Sequence, residues 1–262
     1  MTDFQTIAFN RQGALATITL KRPELRNAFN EIAIAELSTA FERVSGDAAV
    51  RVVLLAAEGP AFCAGADLNW MKKMAGYSRE QNLADAGQLA AMLRSIDLCP
   101  KPVIARVQGD VYAGGVGLVA CADIAVVAEG AHFCLSETRI GLIPATISPY
   151  VIRAMGMPAA RRYFLSAERF SASRAREMGL AHEVVAASAL DETVAGITQA
   201  LLAASPQAVA AAKQLVRDVG GREIDDALVS ETVARIADIR ASEDGREGIQ
   251  SFLDKRKARW QA

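Results

Sequence analysis

The 262 residues are 52% hydrophobic and 23% charged, the proportions of a soluble globular protein with enough apolar material for a sizeable core. With 29 basic against 30 acidic residues the net charge is −1, which argues against nucleic acid or a membrane surface as partner. No apolar run reaches the ~18 residues of a membrane span. The start, MTDFQTIAFN, has neither the basic nor the apolar region of a signal peptide, so a cytoplasmic location is expected. Cys63, Cys99, Cys121 and Cys134 lack metal-ligand spacing and read as reduced thiols, with no metal site.

Taken in order, Ile7–Phe9 and Leu15–Leu20 flank Arg11-Gln12-Gly13 and predict a hairpin. Asn30 is placed to cap a helix whose apolar face is Ile34, Leu37, Phe41 and Val44. Val52–Ala56 predicts a buried strand, followed by a small-residue loop, Gly59–Asp67, and a short helix, Leu68–Met74. Ser78 caps a further helix with Leu83, Ala86, Leu89, Met92, Leu93 and Ile96 on one face. Pro102–Val107 is a second buried strand. It leads through Gly114, Gly115 and Gly117 into an apolar helix, Val116–Ala122, and then a strand, Ile124–Ala128. The unit of strand, glycine loop, helix and strand occurs twice, an α/β pattern. Beyond Pro144 the chain turns helical: Ile147–Met155, Pro158–Leu165, Ala172–Met178, a helix through Leu190, Val194, Ile197 and Leu201, and Ala208–Val219 after Ser205-Pro206. Gly220-Gly221 precedes a long helix through Ile224, Leu228, Val229, Ile236 and Ile239, and Ser242 opens a last one. Residues 1–189 are read as the α/β core and 190–262 as a helical region.

Two features suggest chemistry. Ala64-Gly65-Ala66 and Ala113-Gly114-Gly115 are glycine turns after buried strands. Their backbone N–H groups suit an oxygen that becomes negative during a reaction, if both turns lie at one end of a sheet. Glu137 is a lone carboxylate in apolar surroundings. It reads either as a surface acid or a salt bridge with Arg139, or as a buried acid whose raised pKa allows proton transfer near neutral pH. His132 and His182 read as structural, Trp70 and Met71 as core or pocket wall, and Lys72 and Lys73 as a solvated face. A P-loop lysine, a dinucleotide fingerprint and a GxSxG elbow are all missing.

Arg22-Pro23 with Asn27-Ala28, Ala61–Leu68, Lys101–Ala105, Ala113–Gly115, Cys121–Asp123, Phe133–Pro144 and Ser251–Arg256 together resemble the enoyl-CoA hydratase/isomerase (crotonase) superfamily over nearly the whole chain. The resemblance implies a spiral of ββα repeats with a C-terminal helical region used for trimerisation, often in hexamers. It implies an acyl-CoA thioester substrate and no cofactor beyond the coenzyme A within that substrate. By position, Ala64 and Gly114 match the two oxyanion donors. Arg26, Ala28, Ala64, Ala66, Asp67, Leu68, Gly114 and Gly117 match positions lining the substrate and CoA groove. Phe252 and Lys255 match tail positions that help hold CoA, often from a neighbouring subunit. Glu137 matches the second of two glutamates that hold water in the hydratases, while the first falls at Gly117.

Three readings follow from that departure. Gly65–Lys72, Gly141–Tyr150 and Arg161–Phe170 resemble methylglutaconyl-CoA hydratases and related hydratases of acyclic-terpene breakdown. They imply hydration of a branched glutaconyl-type acyl-CoA, whose distal carboxylate helps place the water. Lys72, Lys73, Arg79 and Arg139 are candidates to meet that carboxylate. The second reading is a double-bond isomerase using Glu137 alone. The third is a non-catalytic acyl-CoA binder.

Overall fold

The computed structural model describes residues 4–261. Its first unit is the expected hairpin, β1 (Ile7–Gln12) and β2 (Leu15–Leu20), antiparallel with Ile7 opposite Leu20. In α1 (Glu31–Gly46) the Asn30 side chain accepts from the Ala33 N–H, and Ile34, Leu37, Phe41 and Val44 are buried. Three turns of a spiral follow, each placing one strand in a large sheet and the next in a small one. They are β3 (Val52–Ala57) and β4 (Ala61–Cys63) with α2 (Leu68–Met74) and α3 (Arg79–Asp97), then β5 (Val103–Val107) and β6 (Asp110–Tyr112) with α4 (Gly114–Cys121), then β7 (Ile124–Ala128) and β8 (His132–Cys134) with α5 (Ser148–Ser166). β9 (Phe170–Ser171), α6 (Ala172–Glu177) and β10 (Glu183–Val185) close the spiral, so that the large sheet runs β1-β2-β3-β5-β7-β10 and the small one β4-β6-β8-β9. This is the expected α/β spiral of ββα units.

The sequence reading needs correction at several elements. The Gly59–Asp67 loop contains a strand, and another lies between Val107 and Gly114. Three-residue strands are too short to display a period of two. In α3 only the last turns are buried, at Met92, Leu93 and Ile96, whereas Leu83 is 57% exposed. Helical spacing therefore marked a face that the core covers only in part. Ile224 lies before its helix, which runs Asp226–Ala241 with Asp225 as N-cap. Ile147–Met155 and Pro158–Leu165, by contrast, hold as two helical pieces, since α5 breaks its helical course between them at Gly156, whose φ is 76°.

The main core lies under α1, α3, α4 and α5, and a second apolar cluster joins Val52, Ile104 and Val126 of the large sheet to Leu190 and Val194 of α7 (Leu190–Ala203). α8 (Pro206–Val219) is pinned by Lys213, which donates to Asp123 at 2.6 Å and to the Lys101 carbonyl at 3.0 Å. α9 (Asp226–Ala241) and α10 (Glu243–Leu253) complete the helical region, and α10 packs on α8 and α9. All four cysteines are buried and unpaired, and burial pushes the Cys63 thiol up to about 12, so it behaves as a small core residue. Among the described residues no single helix is long and apolar enough to cross a membrane.

Candidate active site

β4, β6 and β8 are adjacent and parallel, so their C-terminal ends share one edge of the small sheet. Neighbouring strands lie about 4.8 Å apart, which brings the three following turns together. β4 leads to Ala64-Gly65-Ala66, β6 to Ala113-Gly114 and β8 to Glu137. The two glycine turns thus converge as anticipated, but on the small sheet rather than at the ends of the long apolar strands. The Ala113 N–H donates to the Cys134 carbonyl at 2.8 Å and stitches the middle turn to β8.

Close approach explains the small residues. Gly65 has φ +86°, and a Cβ there lies 3.0 Å from the Ala113 Cβ and 3.7 Å from the Gly114 nitrogen. A Cβ on Gly114 would strike the Phe29 ring at 2.4 Å. Ala113 itself adopts φ 47° and ψ −121°, backbone that glycine ordinarily occupies. A strained non-glycine residue at the mouth of a buried helix is an observed outlier of the kind that aims backbone groups at a ligand. The Gly114 N–H stands at the N-terminus of α4 and has no acceptor among the described residues. The helix end adds partial positive charge there.

The second donor is not the expected one. The Ala64 N–H is committed to the Arg26 carbonyl at 2.9 Å, so Ala64 is corrected as an oxyanion donor. Two residues on, the Ala66 N–H has no acceptor among the described residues, because the bridge to Phe29 uses the Gly65 carbonyl and the Asp67 N–H instead. Only contacts distant in sequence decide which N–H of the turn is spent. The Asx-type cap at Asp67 was the local signal that the turn is pinned just beyond Ala66.

Glu137 opens a 3-10 turn, Glu137–Ile140, held by the Thr138 hydroxyl on the Phe164 carbonyl at 3.2 Å and ended by Gly141 at φ 76°. One carboxylate oxygen, Oε2, is buried and has no hydrogen-bond partner among the described residues. Burial raises its pKa above the ordinary carboxylate value. The salt bridge with Arg139 is overturned: that guanidinium donates to the Ala167 carbonyl at 2.6 Å.

Other expected site residues divide. Arg26 and Ala64 line one cleft of about 250 Å³ with Pro60, Ala61, Asp110 and Tyr112. Leu68 is 74% exposed beside that loop, and Ala28 is buried. Asp67 is corrected as a substrate ligand, since its side chain is 6% exposed and both carboxylate oxygens are engaged. Oδ1 accepts from the Asn69 N–H at 2.7 Å and caps α2, and Oδ2 accepts from Arg22 at 2.7 Å. Burial pushes the Asp67 carboxyl up, but the hydrogen bonds from Arg22, Asn69 and Trp70 outweigh it and hold the group below the usual range.

Gly117 has no room for a side chain. A Cβ there would lie 2.3 Å from Cγ2 of the buried Ile147 and 3.4 Å from Leu93. The position is filled, not vacant. Phe252 is 82% exposed. The tail is tied to the start of β3, where Arg51 donates to the Trp260 carbonyl at 3.1 Å, whereas the Arg26 cleft lies beyond the end of that strand at Pro60. Of the cations considered for a distal carboxylate, Lys73 pairs with Glu31 at 2.5 Å and Arg139 is engaged as above. His182 accepts from the Ala125 N–H at 3.0 Å, and Trp70 donates to Asp85 at 3.0 Å.

Residues 10–262 match the family described as enoyl-CoA hydratase/isomerase. The chain is 34% identical over 254 residues to a probable enoyl-CoA hydratase of Rhodobacter capsulatus, covering 97% of this chain and 96% of that protein. It is 32% identical over 249 residues to the 2,3-dehydroadipyl-CoA hydratase of Escherichia coli, covering 94% and 95%. The crystal structure of an enoyl-CoA hydratase from Shewanella pealeana superposes with a TM-score of 0.95 at 44% identity, covering 98% of this chain and 96% of that one. With three turns converging on one sheet edge and a match along almost its whole length, the chain belongs to the enoyl-CoA hydratase/isomerase family and is an enzyme of the crotonase superfamily.

Proposed function

We propose that the protein adds water across the C2–C3 double bond of an acyl-CoA thioester, with a branched glutaconyl-type acyl group such as methylglutaconyl-CoA as substrate. The observation that carries this reading is the buried, unpartnered Oε2 of Glu137 on the same sheet edge as the unspent N–H groups of Ala66 and Gly114. Glu137 takes a proton from water as the water oxygen bonds to C3. The π electrons move to the thioester oxygen, where the two N–H groups stabilise the negative charge. The enolate then collapses and C2 takes the proton back from Glu137. Preorganised donors of this kind contribute about 3–4 kcal/mol each. Relatives named as hydratases, one of them acting on the acidic 2,3-dehydroadipyl-CoA, support the reaction class.

Ile147 on Gly117 bears on how the water is held. A second acid has no room on α4, and the distal carboxylate of the substrate supplies the missing acceptor. Lys72 and Arg79, which have no ion-pair partner among the described residues, are the candidates to meet that carboxylate. The same contact favours a second reading, isomerisation, in which a single carboxylate moves a proton from C2 to C4. Product mass after turnover of methylglutaconyl-, crotonyl- and 3-enoyl-CoA separates them. Hydration adds one water and isomerisation leaves the mass unchanged. Equal rates on crotonyl- and methylglutaconyl-CoA would remove the role given to the substrate carboxylate. Exposed apolar side chains on α9 and α10, among them Val233, Ile236 and Leu253, support association into trimers. A neighbouring copy then brings Phe252 and Lys255 to the CoA groove.

A further inference from the structure

The two unspent N–H groups lie on different turns, and one residue touches both turns. The Phe29 N–H donates to the Gly65 carbonyl at 2.8 Å and the Phe29 carbonyl accepts from the Asp67 N–H at 3.0 Å, so Phe29 brackets Ala66 on either side. The Phe29 ring is also what a Cβ at Gly114 would strike. Phe29 is held in turn by Arg22. Its guanidinium donates to the Ala28 carbonyl at 2.8 Å and to Asp67 Oδ2 at 2.7 Å, spanning the residue before Phe29 and the residue after Ala66. Arg22 is fixed through its own N–H, which donates to Asn27 Oδ1 at 2.9 Å. The Asn27 amide donates to the Glu58 and Ala61 carbonyls at 2.7 and 2.9 Å, which ties the network to the start of β4.

We infer that Arg22 and Asp67 are a positioning pair that sets the spacing between the Ala66 and Gly114 N–H groups. The inference rests on the oxyanion role proposed for those groups. Both partners are largely buried, and desolvation offsets much of what such a pair gives to stability. What the pair does supply is a rigid, two-point fork. Lysine cannot reproduce it, because a single ammonium lacks the planar geometry that spans two acceptors. A displacement of about 1 Å in a catalytic group costs on the order of 100-fold in rate.

The test uses Asp67→Asn, which keeps a capping oxygen for α2, and Arg22→Lys, which keeps the charge. If one variant fails to fold, the other carries the same readout. The carbonyl stretch of a bound enoyl-CoA thioester, read by difference infrared spectroscopy, reports the donors directly. It is expected to be lowered in the wild type and to return most of the way to the free value in the variants. Over the same pair, kcat is expected to fall about 10- to 100-fold with KM within about twofold. A folded variant that keeps both the lowered stretch and the wild-type kcat overturns the positioning role. A wild-type enzyme with no lowered stretch overturns the oxyanion role itself, and the pair's function with it.

Discussion

The two sheets divide the work of the molecule. The large one is built from five- and six-residue strands whose side chains are mostly buried, except in the hairpin and the three-residue edge strand β10, and none of the proposed reacting groups projects from it. The small one has strands of two or three residues, and the ends of three of them carry Ala66, Gly114 and Glu137. Long apolar strands supply stability through buried area. Short strands supply position: they end where a backbone N–H or a carboxylate is needed, and the large sheet beneath holds them in register. Damage to one sheet is therefore expected in activity, and damage to the other in stability.

The largest expected effect falls on the small sheet. Glu137→Gln removes the proton acceptor while preserving shape, and kcat is expected to drop about 10³-fold, the scale of general acid–base catalysis. Affinity for CoA, measured by calorimetry, should remain within about twofold, because only the reacting group has changed. A protein that keeps its measured function after this change is a binder rather than an enzyme of either proposed class. The matching change in the large sheet is Leu55→Ala, at a fully buried position in β3. Denaturant unfolding should show a loss of about 2–5 kcal/mol. The folded fraction should turn over at the wild-type kcat, and a parallel loss of kcat would erase the distinction between the sheets.

The same division governed what the sequence disclosed. Val52–Ala56, Val103–Val107 and Ile124–Ala128 were legible because each is long enough to read as a buried strand, and the caps at Asn30, Ser78 and Ser205 announced their helices. β4 and β6 were not legible, since three residues carry no period. Glu137 stood out as a lone carboxylate among apolar neighbours. The choice between Ala64 and Ala66 could not be read, because it depends on where the Arg26 carbonyl lies in space. Nor could the closure of Gly117, which is made by Ile147 from the other side of the Glu137 turn.

That closure gives a smaller and more specific prediction. Gly117→Glu drives a side chain into Ile147 and is expected to cost about 1–3 kcal/mol or more from overpacking alone. Ile147→Ala should also destabilise, by leaving a cavity. Together the two should be less harmful than their sum, since the smaller residue makes room for the larger. Thermal unfolding of the two single variants and the double variant measures the coupling. Strict additivity would mean that Ile147 is not what excludes a side chain from that place. In the coupled case the double variant carries a second carboxylate, and its hydration of crotonyl-CoA should exceed that of Ile147→Ala alone.

The smallest effect is a pH dependence of stability at Glu137. At low pH the carboxyl is neutral in both folded and unfolded chains, and burial carries no electrostatic penalty. As pH rises past the ordinary value the unfolded chain releases its proton, while the folded chain keeps it because desolvation raises its pKa. The folded state then binds more protons than the unfolded one, so this group lowers stability as pH climbs through that window. Once the folded carboxyl also ionises, the penalty is complete and stays constant. Gln at this position does not titrate. The Tm of Glu137→Gln relative to wild type should therefore increase as pH rises above the ordinary carboxylate value and then level off once the folded carboxyl has ionised. A difference that is flat across this range would mean that Glu137 is as well solvated in the folded protein as in the unfolded chain. It would then lose its claim to be the buried proton carrier at the edge of the small sheet.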